Sequence, residues 1–207
     1  MENLTIEAFK AMMHTTLVNI TERSDELSKL DAITGDGDHG TAIVAALKAI
    51  VKAGSSALEF EEMLNDMAFG AMEESCGSTS TLMGAFFMGM GNAVKGTTLD
   101  VQQVKEMFRA GLTMLEQQTK AKVGDKTMMD ALIPAVEAIE EAEGDVMMIL
   151  KKGAEAASEG AEKTIAMKAN FGRARNLGER SIGAADPGAT SWACMFNSFA
   201  QGLEAYA

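Results

Sequence analysis

Three carboxylates stand within eight residues in the segment Asp31-Ala-Ile-Thr-Gly-Asp36-Gly-Asp38-His39-Gly40, directly before a helix that starts near Thr41. Three anions this close repel one another unless a cation joins them. Asp and Gly also build solvated turns and helix caps. Glycines at 35, 37 and 40, however, let the backbone fold the acids towards one point. The set is one of hard oxygen ligands and suits Mg²⁺, which takes a few carboxylates and completes its octahedron with water and substrate phosphates. His39 beside it can bond a phosphate oxygen or serve as a cap.

Two metal- or nucleotide-binding patterns come close to this segment and fail. Gly35-x-Gly37-x-x-Gly40 has dinucleotide-binding spacing, but the preceding SKLDAIT is no buried strand, and Asp at the inner positions opposes a pyrophosphate. An EF-hand begun at Asp36 needs Gly at its sixth position and Glu at its twelfth, where Thr41 and Leu47 stand. Three other segments offer anion contacts. Ser75-Cys-Gly-Ser-Thr-Ser-Thr81 sets hydroxyls and backbone N–H groups at a helix start, where they hold an anion or cap the helix. Gly124-Asp-Lys-Thr127 resembles the end of a phosphate-binding P-loop, but Asp125 splits the Gly-Lys pair and the upstream Gly is missing. From Lys163 to Arg180 the chain carries Lys163, Lys168, Arg173, Arg175 and Arg180 against one acid, Glu179, a local net of +4. That stretch is either a solvated face or the place where phosphates are met, with Arg able to bind them bidentately. Met128-Met129 is core, with an adenine contact as the lesser possibility.

Helices must carry these loops. Apolar residues recur at three or four positions through Ile6, Phe9, Met13, Leu17 and Ile20, predicting a helix over about 5–27. The same period predicts helices through Ile43–Val51, from Phe60 to about Glu74, and from the 78–81 run through Phe87, where Gly84, Gly89 and Gly91 permit close backbone approach. It continues with a helix capped by Thr98 through Leu115, one over Met129–Ile139, one over about 145–169, and one through Trp192–Leu203. No run alternates with period two for long enough to make a convincing strand, and no linker divides the chain. The expectation is a single all-α domain over 1–207, with about eight antiparallel helices and the chemistry in the loops at one end.

Composition agrees with a packed helical chain. Of 207 residues, 47% are hydrophobic and 23% charged, with 17 Met, 20 Gly and only two Pro. The formal net charge of -12 argues against nucleic acid as a partner, and no 18-residue apolar run could span a membrane. Cys76 and Cys194, in a chain without a signal-like start, read as reduced packing thiols, and the expected location is cytoplasmic.

The residues as a whole resemble the nucleotide-binding L subunit of the dihydroxyacetone kinase family, over nearly the full chain. Four motifs carry the likeness: GDGDHG at 35–40, CGSTSTLMG at 76–84, GDKTMMDALIPA at 124–135 and GRARNLGERSIGAADPGATS at 172–191. The resemblance implies a barrel of eight antiparallel helices with ADP or ATP and two Mg²⁺ ions in the loops at one end. It assigns Asp31, Asp36 and Asp38 as metal ligands that act in catalysis through the metal. It places His39, Gly77, Ser78, Thr79, Ser80, Gly124, Met128, Arg173, Asp186, Pro187 and Gly188 around the nucleotide. Many relatives have Asn where this chain has Ala42, and Thr41 is the candidate to replace that polar contact.

The family also implies a partner. The ketose is held by a separate K-type subunit or domain, for which 207 residues leave no room, so the expected reaction needs two components. The leading reading is phosphoryl transfer from Mg-nucleotide to dihydroxyacetone, with bound ADP rephosphorylated by a phosphotransferase-system protein. The alternatives are an ATP-dependent component acting on a four-carbon ketose such as erythrulose, and a non-catalytic nucleotide-binding regulatory module.

Overall fold

The computed structural model describes residues 1–74 and 77–207. Among these residues lie nine α-helices: α1 (Ile6–Glu22), α2 (Ser24–Thr34), α3 (His39–Ala53), α4 (Phe60–Glu74), α5 (Ser78–Ala93), α6 (Val101–Glu116), α7 (Met129–Glu141), α8 (Val146–Lys163) and α9 (Pro187–Tyr206). Two three-residue strands, β1 (Asn3–Thr5) and β2 (Thr98–Asp100), pair antiparallel with Leu4 opposite Leu99. Eight of the helices close a ring, in which α1, α3, α4, α5, α6, α7, α8 and α9 each pack on the next and α9 returns to α1. Neighbours run antiparallel. Asn19 of α1 donates to Ser198 of α9 at 2.9 Å, while Gly202 at the far end of α9 abuts Met12. The expected all-α barrel of eight antiparallel helices is therefore the observed fold, with α2 as an extra helix outside the ring against α3 and α9.

The ring closes because its inner face is apolar and some of its contacts are backbone-close. Phe9, Phe60, Phe86, Phe108, Phe196 and Phe199 are fully buried in one apolar cluster, and the Phe86 and Trp192 rings meet edge-on at 5.0 Å. Each buried ring of this kind contributes about 1.5–3 kcal/mol. Met12, Met63, Met67, Met90, Met107 and Met195 fill the gaps between them. Glycines mark the closest approaches: a Cβ on Gly89 would lie 2.4 Å from the Ala110 carbonyl oxygen, and one on Gly160 would lie 1.9 Å from that of Asp130. Cys194 is a free, buried thiol, whereas Cys76 lies outside the described residues.

Three boundaries differ from the sequence expectation. The helix expected over 5–27 breaks at Arg23, whose N–H bonds back to Asn19 and Thr21. Asp25 and Glu26 then favour a new helix N-terminus, and Arg23 reaches Glu26 at 2.7 and 2.8 Å. Thr98 is no cap, because β2 pairs with β1 and carries the chain on to Asp100. Asp100 forms a reciprocal capping box with Gln103 at 2.8 and 3.0 Å. The strands themselves are too short for a period-two signal. The helix expected over 145–169 stops at Lys163, where the buried Thr164 hydroxyl turns to the Ala161 carbonyl and accepts the Asp186 N–H. No helix among the described residues is long and apolar enough to cross a membrane.

The glycine contacts are testable. Gly160→Ala would ordinarily strengthen a helix by about 1 kcal/mol, yet here the new methyl meets the α7 backbone. Urea unfolding should show a net loss of about 1–3 kcal/mol. An unchanged or raised midpoint would mean that α7 and α8 can separate freely.

Candidate functional site

The alternation of the ring brings the N-termini of α3, α5, α7 and α9 to the same end. His39, Ser78, Thr79, Met129 and Gly188 from their first turns, with Met128 capping α7, line one cleft of about 280 Å³. Ile43, Leu82, Ala121, Phe171 and Trp192 make its apolar walls. That volume is near the lower end for small-molecule sites, about 300 Å³. It fits a flat ring system better than a whole extended ligand. Each helix N-terminus carries about half a positive charge, so the mouth of the cleft favours anionic groups, and Asp31, Asp130 and Asp186 already accept N–H groups at the starts of α3, α7 and α9.

Beside this mouth the three acids converge. Asp31 lies near the end of α2, Asp36 and Asp38 lie in the loop that follows, and ligand oxygens of all three fall within 4.8 Å of one another. One oxygen of Asp31 accepts the N–H groups of Gly37, Asp38 and His39 at 2.9, 3.1 and 3.4 Å, which wraps the loop around its carboxylate. Gly35 is required for room: a Cβ there would lie 2.4 Å from the other Asp31 oxygen. Gly37 is required for its backbone, at φ +79°. A compact set of three carboxylate oxygens with two of the groups exposed fits a hard divalent cation completed by water or phosphate.

Other polar groups tune the mouth. Arg173 forms an ion pair with Asp36 and holds that carboxyl below its usual range. His39 Nε2 lies 2.9 Å from the Ser191 hydroxyl, which donates to the Gly188 carbonyl at 2.9 Å. Burial lowers the His39 pKa, against the pull of Asp31 and Asp38. Asp186, half-buried at the cleft wall, caps α9 by accepting the Ala189 N–H at 2.7 Å. Burial, with the Asp130 charge adding to it, pushes the Asp186 pKa up to about 7, while the Ala189 N–H and Lys126 pull the other way.

Of the residues singled out in the sequence, His39, Ser78, Thr79, Met128, Asp186 and Gly188 line the cleft, and Asp31, Asp36 and Asp38 form the acid cluster beside it. Gly77 is the N-cap of α5 and Ser80 is buried one turn on. Gly124, at φ +96°, donates to Asp130 at 2.6 Å, and Pro187 is the buried first residue of α9. Arg173 sits on Asp36 at the rim, and Thr41 is exposed on α3 and does not line the cleft. Ser75 of the hydroxyl run lies outside the described residues. Sequence reasoning missed Thr119, Ala121, Phe171 and Trp192 as lining residues. Thr119 and Ala121 stand in a plain loop with no motif, and Trp192 reads as core from its helical spacing.

Comparison with known proteins gives a consistent result. The sequence model of the DAK2 domain matches residues 33–201. The ADP-binding subunit DhaL of PEP-dependent dihydroxyacetone kinase 1 from Listeria innocua serovar 6a is 34% identical over 186 residues, covering 88% of this chain and 89% of that protein. The corresponding DhaL subunit from Escherichia coli K12 is 32% identical over 183 residues, covering 86% and 87%. L-erythrulose 1-kinase from Mycolicibacterium smegmatis is 32% identical over 199 residues, which is 93% of this chain but only 35% of that enzyme. In fold, the chain is similar to the crystal structure of the C. freundii dihydroxyacetone kinase in complex with AMP-PNP and Mg²⁺. That match has a TM-score of 0.72 at 23% identity and covers 97% of this chain and 35% of that one.

The Asp186 carboxyl makes a prediction of definite sign. Its folded pKa of about 7 lies above the unfolded value near 4, so the folded state holds the proton more tightly. That contribution is complete below about pH 4 and is lost as pH rises through 7. Asp186→Asn keeps a capping side chain and removes the titration. Thermal unfolding followed from pH 4 to 8 should show a flatter profile in the variant than in the wild type, and parallel profiles would refute the assignment.

Proposed function

The chain belongs to the DAK2-domain family, and on that premise we propose that it is the nucleotide-binding subunit of a dihydroxyacetone kinase. In this reading 1–207 form a single nucleotide-binding kinase domain of L-subunit type, acting in the cytoplasm. A separate K-type subunit holds dihydroxyacetone, and a phosphotransferase-system protein rephosphorylates the bound ADP. The observation that carries the reading is the meeting of four helix N-termini with a three-aspartate cluster at the mouth of an apolar cleft. An apolar slot for a ring, an anion-favouring rim and a hard-cation cluster, in that order, match a nucleotide from base to phosphates.

Each group then has a role. Ile43, Leu82, Met128 and Trp192 take the base by apolar contact. Ser78 and Thr79, with the N-terminal amides of α5 after Gly77 and before Ser80, donate to phosphate oxygens, while Asp186 and Gly188, on either side of Pro187 at the start of α9, shape the opposite wall, the Asp186 carboxylate keeping the Ala189 N–H. Gly124 lies in the turn before α7, where its N–H is held by Asp130, and acts on the cleft only through that turn. Asp31, Asp36 and Asp38 would hold two Mg²⁺ ions, which when bound offset the charge on the transferring phosphoryl group. Asp31 orients the loop through the hydrogen bonds it accepts from three backbone N–H groups. Arg173 and a cation compete for Asp36. No nucleophile is required of this chain, because the ketose hydroxyl attacks from the partner.

The two DhaL subunits named PEP-dependent match this chain along most of their length and favour the phosphotransferase-coupled donor. The match to L-erythrulose 1-kinase sustains a second reading, an ATP-dependent component acting on a four-carbon ketose.

Reconstitution separates these readings. The chain alone with ATP, Mg²⁺ and dihydroxyacetone should make almost no sugar phosphate, and activity should appear with a K-type subunit, the phosphotransferase protein and phosphoenolpyruvate. Turnover on ATP with erythrulose would favour the second reading, and robust activity of the isolated chain would overturn both. In the same assay Arg173→Ala should weaken ADP binding about tenfold through loss of a charged contact. Arg175→Ala should do less, and equal negligible losses would return the basic stretch to a solvated face.

A further inference from the structure

Lys126 has no place in the chemistry above, yet it is only 2% exposed and is the one non-glycine residue among those described with a left-handed backbone, at φ +59°. A side chain in that conformation is strained, so surrounding contacts must hold it there. The contacts are unusual for an ammonium. Nζ lies 2.8 Å from the carbonyl oxygen of Thr164, 3.2 Å from that of Met167, 2.6 Å from that of Ser181 and 2.7 Å from that of Ala184. Three N–H groups thus serve four main-chain acceptors, an arrangement that only a cation satisfies.

These carbonyls stand on the two stems of one strap, Thr164 and Met167 before it and Ser181 and Ala184 after it. Between the stems, residues 168–180 have almost no core of their own, since Ala169 alone is buried. Left-handed glycines at 172 and 178 add flexibility. Such a segment sits at the low end of local stability unless something outside fastens it. The strap nevertheless delivers Phe171 and Gly172 to the cleft wall and Arg173 to Asp36. The turn that presents Lys126 is itself fixed, because the Asp130 carboxylate accepts the N–H groups of Gly124 and Thr127 at 2.6 and 2.8 Å.

We propose that Lys126 is a positioning residue for the nucleotide: its ammonium fastens both stems of the 168–180 strap to the turn below the cleft and so holds Phe171 and Gly172 over the bound ligand. The proposal rests on the reading of the cleft as a nucleotide site. Lys126 touches neither base nor phosphate; it acts through the strap. Its loss should therefore appear first in how long the nucleotide stays, since contacts of this kind act mainly on dissociation.

The test uses the full chain as wild type, Lys126→Met and Lys126→Gln. Two quantities are read: the release rate of a fluorescent ADP analogue in the presence of Mg²⁺, and amide hydrogen exchange of the ligand-free protein. Release from the Met variant should be at least about tenfold faster, as for the loss of a charged hydrogen-bond cluster. The Gln variant, which keeps two donors, should lie between Met and wild type. Exchange should quicken over 164–184 while α1, α4, α5 and α6 stay as protected as in the wild type. A lysine with a merely structural role would instead loosen all helices together. That result, or an unchanged strap, would overturn the proposal. If the Met variant fails to fold, the Gln variant decides by the same criteria. If the wild type binds no ADP, the nucleotide reading falls, and the exchange comparison still decides whether Lys126 fastens the strap.

Discussion

Closing eight helices into an antiparallel ring forces every second N-terminus to one end, and the remaining features of this molecule answer that constraint. Four N-termini, each worth about half a positive charge, gather at the cleft mouth. About two charges cannot balance three aspartates together with the phosphates of a ligand. A cation is therefore the natural complement, even where the N-termini already favour anions. Asp31 shows how the two demands are joined: one of its oxygens satisfies three amides at the start of α3, and the other faces Gly35 and the acid cluster.

The cleft is built from both ends of the chain, which ties its geometry to the fold. His39 at the start of α3 meets Ser191 on α9, and Arg173 on the strap meets Asp36 before α3. Each contact crosses more than a hundred residues, so the site forms only when α9 completes the ring. The backbone-close glycine contacts of α5 with α6 and of α7 with α8 set the spacing that makes such long-range pairs possible. In a chain of net charge -12, the basic stretch after α8 is placed where its Arg173 meets the acids.

Much of this is legible in the sequence because it rests on local rules. Helical periodicity gives the antiparallel helices, with their closure into a barrel implied only by the family resemblance, the spacing of Asp31, Asp36 and Asp38 gives the acid cluster, and the glycines between them mark a tight loop. What is not legible depends on contacts between distant segments. Nothing in the sequence around Arg23 breaks a helix, yet the chain must turn there to carry Asp31 to the cleft mouth on α2. The pairing of β1 with β2 moves the cap of α6 from Thr98 to Asp100. Lys126 looks like the remnant of a P-loop, and only the folded strap supplies the four carbonyls that give it a role. Thr119 and Ala121 line the cleft from a loop whose residue types have no chemical signature.

In the function proposed above, metal and nucleotide bind as one ligand at the open end of the ring. Calorimetric titration with ADP tests it most directly when done in Mg²⁺ and again in a chelator, on the wild type and on Asp31→Asn. The expected result is tight binding in Mg²⁺, binding at least about a hundredfold weaker in the chelator, and loss of the metal effect in the variant while the helical signal is kept. Equal affinity with and without metal, or an undiminished metal effect in Asp31→Asn, would contradict it.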